Sequence, residues 1–385
     1  MAVESPRLLA FVPGVLAACA LLAQYFLWKQ KPAIPLPFLT IIISGIALCG
    51  VSIAWAIAPE EGLQRIVRLL GLSVAGCALL ALAYTARREQ IAACYWLFPL
   101  GLGLAAALAA VELLFHAPLY RLAGGTGADG KVYLGIFNRG VVAITLCFFP
   151  VFPLLVTVGE RSALTVSVVA LVACMLLLTE SQSAQLAMLV GLLTYFLFPY
   201  RSKTAWFALA GATVLLILGA PFLAAWAFEP FAESLDALPF LGAGGGFAGA
   251  RMEIWDYVAR YALRSPFLGY GLEAARAIDD FDSDELFRSG HSTLHPHNFA
   301  LQLWLEFGLL GAVAGAAFCS YLLYLMFTKL TPGQRRAALP AFMASLSLAA
   351  TGYGMWQSWW LGLLFLVAAF VVLTTKLMEE APQAR

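Results

Sequence analysis

Charge is scarce in this chain of 385 residues: Asp, Glu, Lys and Arg make up 12% of it, and the formal net charge is +1. A water-soluble surface needs about twice that charged fraction, which excludes an ordinary soluble protein. The balance leaves no basic excess, and no nucleic-acid partner is expected. Paired cysteines are also missing. The seven cysteines (Cys19, Cys49, Cys77, Cys94, Cys147, Cys174, Cys319) all fall inside apolar runs and never as CxxC, which argues against zinc ligation or a disulfide framework and leaves small core residues. Histidine occurs four times, and no convincing internal repeat is present.

What the chain has instead is apolar sequence, at 62% hydrophobic residues and a mean hydropathy of +0.85. Apolar runs of about 17 to 25 residues suit a helix crossing a hydrocarbon core. They fall near 8–27, 34–57, 65–85, 91–115, 139–158, 162–179, 183–199, 203–225, 298–328, 336–352 and 354–376. The pattern predicts an all-α polytopic membrane protein, a bundle of about eleven to twelve transmembrane helices. Transmembrane helices occupy 1–225, a large, partly helical loop follows over 226–297, and further transmembrane helices fill 298–385. Leu16-Ala17-Ala18-Cys19 resembles a lipoprotein cleavage box, but the apolar sequence continues past it, so the segment reads as a first span.

Short loops rich in Lys and Arg mark the cytoplasmic side. Lys29/Lys31, Arg87/Arg88, Arg161, Arg201/Lys203, Lys329 with Arg335/Arg336, and Lys376 are separated by even numbers of expected spans, and so share that side. Segments 58–64, 116–138, 180–182 and 226–297 then face outward. The outer face carries its own cations: Arg65, Arg68, Arg121, Lys131, Arg139, Arg251, Arg260, Arg264, Arg276 and Arg288. The bias to arginine, whose planar fork suits phosphate, points to an anionic ligand there. The competing account is snorkelling to headgroups and pairing with the loop's acids. Arg65 and Arg68 lie one turn apart on one face, and Arg139 opens a span beside Asn138.

Within the long loop, GAGGGFAGA (242–250) reads as a hinge, and RMEIWDYVARYALRS (251–265) reads as an amphipathic helix ending before Pro266. Asp279, Asp280, Asp282, Asp284 and Glu285 form an acidic run without compact ligand spacing, expected to be a solvated loop. The loop ends in HSTLHPHNF. Pro296 extends His295, and Asn298 is placed to cap a helix beginning at Phe299. Three readings of the two histidines stand at this point: an interfacial helix entry, a metal site completed by His291 and nearby acids, or a general base. Glu306, two turns further on, reads either as a partner for an arginine or as an interface carboxylate.

His297-Asn298, nine residues, Gly308, two residues, Gly311 resembles the signature of the O-antigen ligase and polymerase superfamily of bacterial envelope enzymes. Arg251, Ile254-Trp255, Pro266, Gly269 and Gly271 resemble that family's R..IW..........P..G.G run. GIFNRG (135–140), TESQSAQLA (179–187) and Arg65 to Leu69 are similar to further elements. The resemblance implies an inner-membrane glycosyltransferase whose site faces the periplasm. Its donor would be a polyprenyl-diphosphate-linked glycan, and its acceptor a sugar hydroxyl of lipid A-core, or another lipid-linked repeat in the polymerase branch. His297 would be the general base, Arg251, Arg139, Arg65 and Arg68 would bind the diphosphate, and His295 and Asn298 would support. No metal and no cofactor are expected. Outside enzymology the rival is a transporter of lipid-linked glycans, which would place ionisable groups near the bilayer midplane.

Overall fold

A computed structural model of the chain describes residues 6–23, 26, 33, 36–125, 132–157, 162–236, 247–278 and 295–378. Lys29, Lys31, Lys131, Arg161, Arg288, His291, the glycines at 242–246 and the acidic run 279–285 lie outside the described residues, while 247–250 of the expected hinge, with Gly249, are helical.

The described residues are helical, with no strand. In chain order the helices are α1 (Val12–Ala23), α2 (Leu36–Ser52), α3 (Pro59–Thr85), α4 (Arg88–Cys94), α5 (Leu97–Leu114), α6 (Pro118–Leu122) and α7 (Asn138–Thr157). They continue as α8 (Ser162–Leu178), α9 (Gln182–Leu197), α10 (Lys203–Asp236), α11 (Phe247–Ala262), α12 (Phe299–Lys329), α13 (Pro332–Thr351) and α14 (Ser358–Leu377). Every expected span coincides with one of them. Among the described residues, seven stretches are long and apolar enough to cross a membrane: Phe38–Trp55, Pro59–Thr85, Leu97–Leu114, Leu134–Val156, Lys203–Ala227, Phe299–Lys329 and Ser358–Leu377. The other four expected spans correspond to α1, α8 and α9, which are shorter, and to α13, whose first turn carries Gln334, Arg335 and Arg336. The chain is thus an all-α polytopic membrane protein. The expected span 203–225 continues as helix to Asp236, so the long loop begins inside α10.

Local chemistry sets several boundaries. Pro59 occupies the first turn of α3, where a missing N–H costs nothing, and Glu60 and Glu61 meet the positive end of its dipole. Thr331 and Gln334 form a capping box around Pro332 at the start of α13. The main core joins α5, α7, α9, α13 and α14 through Ala106, Leu146, Phe149, Met188, Leu348 and Leu363. A second joins α10, α11 and α12 through Ile217, Val258, Ala262, Leu301 and Trp304.

Among the described residues, the cationic short loops near 86–88, 200–203, 329–336 and 376 meet at one end of the bundle. Lys376 donates to the carbonyls of Tyr84 and Ala86, Gln334 donates to Thr375 O at 2.9 Å, and Arg335 donates to Tyr200 O at 2.8 Å. Arg65, Ser183 and His297 stand at the opposite helix ends, each tied to the turn between α13 and α14 directly or through one bond.

One break organises the second end. Gly308, within α12, has φ 60° and ψ −148°, a conformation open essentially to glycine alone. The helical bonds lost there are replaced by residues 266–271. Leu309 N donates to Pro266 O (2.7 Å) and Leu310 N to Phe267 O (3.4 Å), while Tyr270 N and Gly271 N donate to Leu305 O (2.9 Å) and Glu306 O (2.8 Å). A Cβ on Gly269 would lie 2.6 Å from Leu305 O, so both glycines are needed for the two backbones to meet. The P..G.G run and the first glycine of the α12 pattern are therefore two halves of one junction.

Candidate functional site

The residues HPHN enter α12 along a route fixed from three directions. Trp255 on α11 donates its indole N–H to Pro296 O (2.9 Å). Asn298, in extended geometry, accepts from Ala300 N (3.0 Å) and Leu301 N (3.2 Å), the expected cap. Between them His297 adopts φ 56°, a left-handed conformation uncommon for a side chain of this size. That twist aims its Nδ1 at Gly352 O, 2.5 Å away. A carbonyl only accepts, so Nδ1 carries the proton and Nε2 keeps its lone pair. Burial lowers the pKa of His297 from its ordinary value; the bond to Gly352 opposes this and Arg251 reinforces it. The imidazole is thus held neutral with one basic nitrogen.

His295 packs beside it with ring centroids 4.3 Å apart. Trp359 donates to Gln357 Oε1 (2.7 Å), which turns the Gln357 amide N–H toward His295 Nε2 at 3.3 Å. Burial, helped by His297, Arg276 and Arg139, pulls His295 down to about 3. It is a neutral acceptor. A Cβ on Gly354 would sit 2.8 Å from the His295 ring, so the glycine lets the turn lie against it.

The four arginines expected to hold an anion separate into three settings. Arg251 donates to Ser183 Oγ (3.1 Å), which donates to Thr351 O (3.1 Å), next to the residue that orients His297. Arg139 lies over the Trp359 ring, 5.5 Å from its centroid. Both act electrostatically on Tyr353: burial pushes its phenol up to about 12 against their pull. Neither arginine makes an ion pair with a described residue. Arg65, in contrast, is bound to Glu273 (2.5 Å) and to Trp356 O (3.0 Å), and Arg276 pairs with the other oxygen of Glu273. Arg68 is exposed. The sites thus brought together are His297, His295, Asn298, Arg251 and Arg139, with Arg65 in an adjoining cluster and Arg68 apart.

The adjoining cluster surrounds a polar cavity of about 20 Å³, room for roughly one water, lined by Arg65, Glu273, His295, Gln302, Glu306 and Gln357 among others. Glu306 is fully buried and accepts from Gln302 Nε2 (2.9 Å) and Trp356 Nε1 (2.5 Å), in place of an arginine or the interface.

Sequence reading did not single out Ser183, Tyr353, Gly352 or Gln357 as site residues. The aromatic density of YGMWQSWW (353–360), in the turn between two spans, is the signal that could have marked Gly352, Tyr353 and Gln357. Gln185, in the TESQSAQLA stretch, donates to Leu176 O and Thr179 O and closes the end of α8.

The fold and this site define a polytopic helical membrane protein with a neutral, oriented histidine beside two arginines that have no ion pair among the described residues. Residues 167–315 match the family model described as O-antigen ligase. Over that stretch the chain is similar to the O-antigen ligase superfamily. It is 32% identical over 119 residues to a protein of Rickettsia typhi (strain ATCC VR-144 / Wilmington) named "Putative polysaccharide ligase", a stretch covering 30% of this chain and 29% of the relative. A protein of the same name from Rickettsia conorii (strain ATCC VR-613 / Malish 7) is 29% identical over 118 residues, again 30% and 29% of the two chains. The matched stretch thus spans less than a third of either relative. No solved structure matches the chain. The matched domain holds Ser183, Arg251, His295, His297 and Glu306, while Arg65, Arg139 and the turn 352–357 come from outside it.

Proposed function

We propose that this chain is an inverting glycosyltransferase of the ligase type. It moves a glycan from a polyprenyl diphosphate carrier to a sugar hydroxyl of lipid A-core, on the periplasmic face of the inner membrane. The observation that carries the reading is the pairing of an oriented neutral His297 with two arginines, Arg139 and Arg251, that no carboxylate among the described residues neutralises.

The acceptor oxygen attacks C1 of the donor sugar, and its proton passes to His297 Nε2. The C1–oxygen bond breaks and its electron pair stays on the diphosphate, which leaves with the lipid. Arg139 and Arg251 meet that growing charge with charge-assisted hydrogen bonds, the electrostatic part of catalysis and the part a divalent metal supplies elsewhere. Direct displacement inverts the anomeric centre. Arg65, saturated by Glu273 and Trp356 O, holds the loop 271–276 against α3, and His295 and Asn298 fix the entry of His297.

The deciding experiment incubates purified protein with a polyprenyl-diphosphate glycan and three acceptors: lipid A-core, a second lipid-linked repeat, and an acceptor protein. Transfer to lipid A-core is expected. Transfer only to the second or third would make the chain a polymerase or a protein O-glycosylating ligase, and no transfer to any would favour a transporter. In the same assay Arg251→Ala is expected to lower kcat/KM for the donor about 10- to 100-fold, the worth of a charge-assisted bond of about 1.5–3 kcal/mol. An unchanged donor kcat/KM would remove Arg251 from the diphosphate site.

A further inference from the structure

The glycosyl-transfer reading leaves a fully buried carboxylate, Glu306, without a task. It lies two turns into α12, and its bonds lead back to the base by a path the sequence does not suggest. Glu306 Oε1 accepts from Gln302 Nε2 (2.9 Å), and Oε2 accepts from Trp356 Nε1 (2.5 Å). Gln302 Oε1, on the same face one turn earlier, accepts from Met355 N (2.9 Å). The two side chains therefore grip residues 355 and 356 of the turn between α13 and α14. That turn presents Gly352 O to His297 and Gly354 to the ring of His295.

We propose that Glu306 and Gln302 are positioning residues for the general base: together they pin the turn whose Gly352 carbonyl selects the tautomer and direction of His297. The inference rests on the transfer reading above. Its physical basis is donor–acceptor counting. Trp356 Nε1 and Met355 N can only donate, so the pair must offer one acceptor to each and still join to one another. A carboxylate at 306 with an amide at 302 does this, and every bond in the set is then made.

Glu306→Gln keeps the shape and breaks the count, because one amide N–H₂ must face either the Trp356 indole N–H or the Gln302 amide N–H₂. The double variant Gln302→Glu/Glu306→Gln restores it: the carboxylate at 302 accepts from Met355 N and from the amide at 306, whose oxygen accepts from Trp356. A role confined to filling the core would not distinguish single from double in this way.

The groups facing His297 are His295 in its own segment and Arg251 on α11, with Arg139 on α7 and Arg276 nearer His295, and with Tyr353 of the turn coupled to the two arginines Arg139 and Arg251. Gly352 is the partner that raises the pKa of His297. Loosening it therefore lowers that pKa.

The test compares wild type, Glu306→Gln and the double variant, purified and given a polyprenyl-diphosphate glycan and lipid A-core, with ¹³C-histidine NMR following the His297 ring. In Glu306→Gln, kcat is expected to fall about 10- to 100-fold, the effect of a small misplacement at a reacting group. The acid limb of kcat and the NMR titration both move to lower pH, and the double variant recovers both. Trp356→Phe, which keeps a ring and removes one donor, is expected to shift both readouts the same way and serves if Glu306→Gln does not fold. Unchanged kcat and titration in Glu306→Gln, or a double variant no better than the single, overturns the positioning role alone. Absence of transfer by the wild type overturns the reading beneath it.

Discussion

Replacing His297 with Asn is expected to slow glycan transfer by about 10²- to 10⁴-fold, the usual worth of a positioned base, while the protein still folds and inserts. Asparagine is the informative choice because position 297 has φ 56°, and Asn tolerates the left-handed region better than Ala. The backbone thus keeps its path between Trp255 and the Asn298 cap, and only the basic nitrogen is lost. The assay uses purified protein with a polyprenyl-diphosphate glycan, and a rate equal to wild type would eliminate His297 as the base. The pH profile carries a second, signed expectation. Burial lowers the pKa of His297, against the Gly352 bond and with Arg251, so the imidazole stays neutral below the pH at which an exposed histidine protonates, about 6.5. Activity that needs the neutral ring therefore persists into mildly acidic buffer and falls as the pH drops through the lowered value. An acid limb above that of ordinary histidine would contradict the buried, carbonyl-bound imidazole.

Gly308→Ala is expected to destabilise the fold by several kcal/mol. Its φ and ψ cost a non-glycine residue about 1–3 kcal/mol, and overpacking adds about 1–3 kcal/mol. The new Cβ would lie 2.4 Å from the Phe267 carbonyl carbon and 2.7 Å from Leu268 N, so backbone must move. Opening that junction releases the bonds of Leu309, Leu310, Tyr270 and Gly271 together. It also displaces Glu306, whose carbonyl accepts from Gly271 N and whose side chain accepts from Trp356 Nε1. Thermal unfolding in detergent checks this against Gly101→Ala in α5, where a Cβ meets nothing within 4 Å and helix propensity favours alanine by about 0.5–1 kcal/mol. Equal midpoints for the two variants would show that the junction yields without cost.

Much of the architecture was legible because the bilayer imposes it. A lipid-facing backbone must satisfy its own hydrogen bonds, so long apolar runs become helices, and the spacing of runs and loop cations reports how many there are and which ends lie together. Lys376, Gln334 and Arg335 meet at one end as that alternation requires. The Asn298 cap and the helix carrying Arg251 and Trp255 were readable for a local reason, since both depend on residues within a turn or two of each other.

The site was legible only in part. The HN…G..G and R..IW…P..G.G patterns marked His297, Arg251 and the glycines, but not that the glycines of the two patterns close on one another. Arg65 and Arg68 share a helix and a charge and are still not equivalent: Arg65 meets Glu273, 208 residues away, and Arg68 stays exposed. Spacing within one helix cannot disclose a partner delivered by another.

By itself, then, the sequence determined an all-α polytopic membrane protein, the end of the bundle at which chemistry-bearing residues collect, and the histidine to suspect. Only the tertiary structure decided that Gly352 accepts from that histidine, that among the described residues Arg139 and Arg251 have no ion pair while Arg65 has one, and that Glu306 bonds Trp356 in the turn that carries Gly352. The physical reason is range: hydropathy and helix capping act along the chain, whereas a proton's direction and a charge's compensation depend on atoms within about 3 Å that the chain brings from tens to hundreds of residues away.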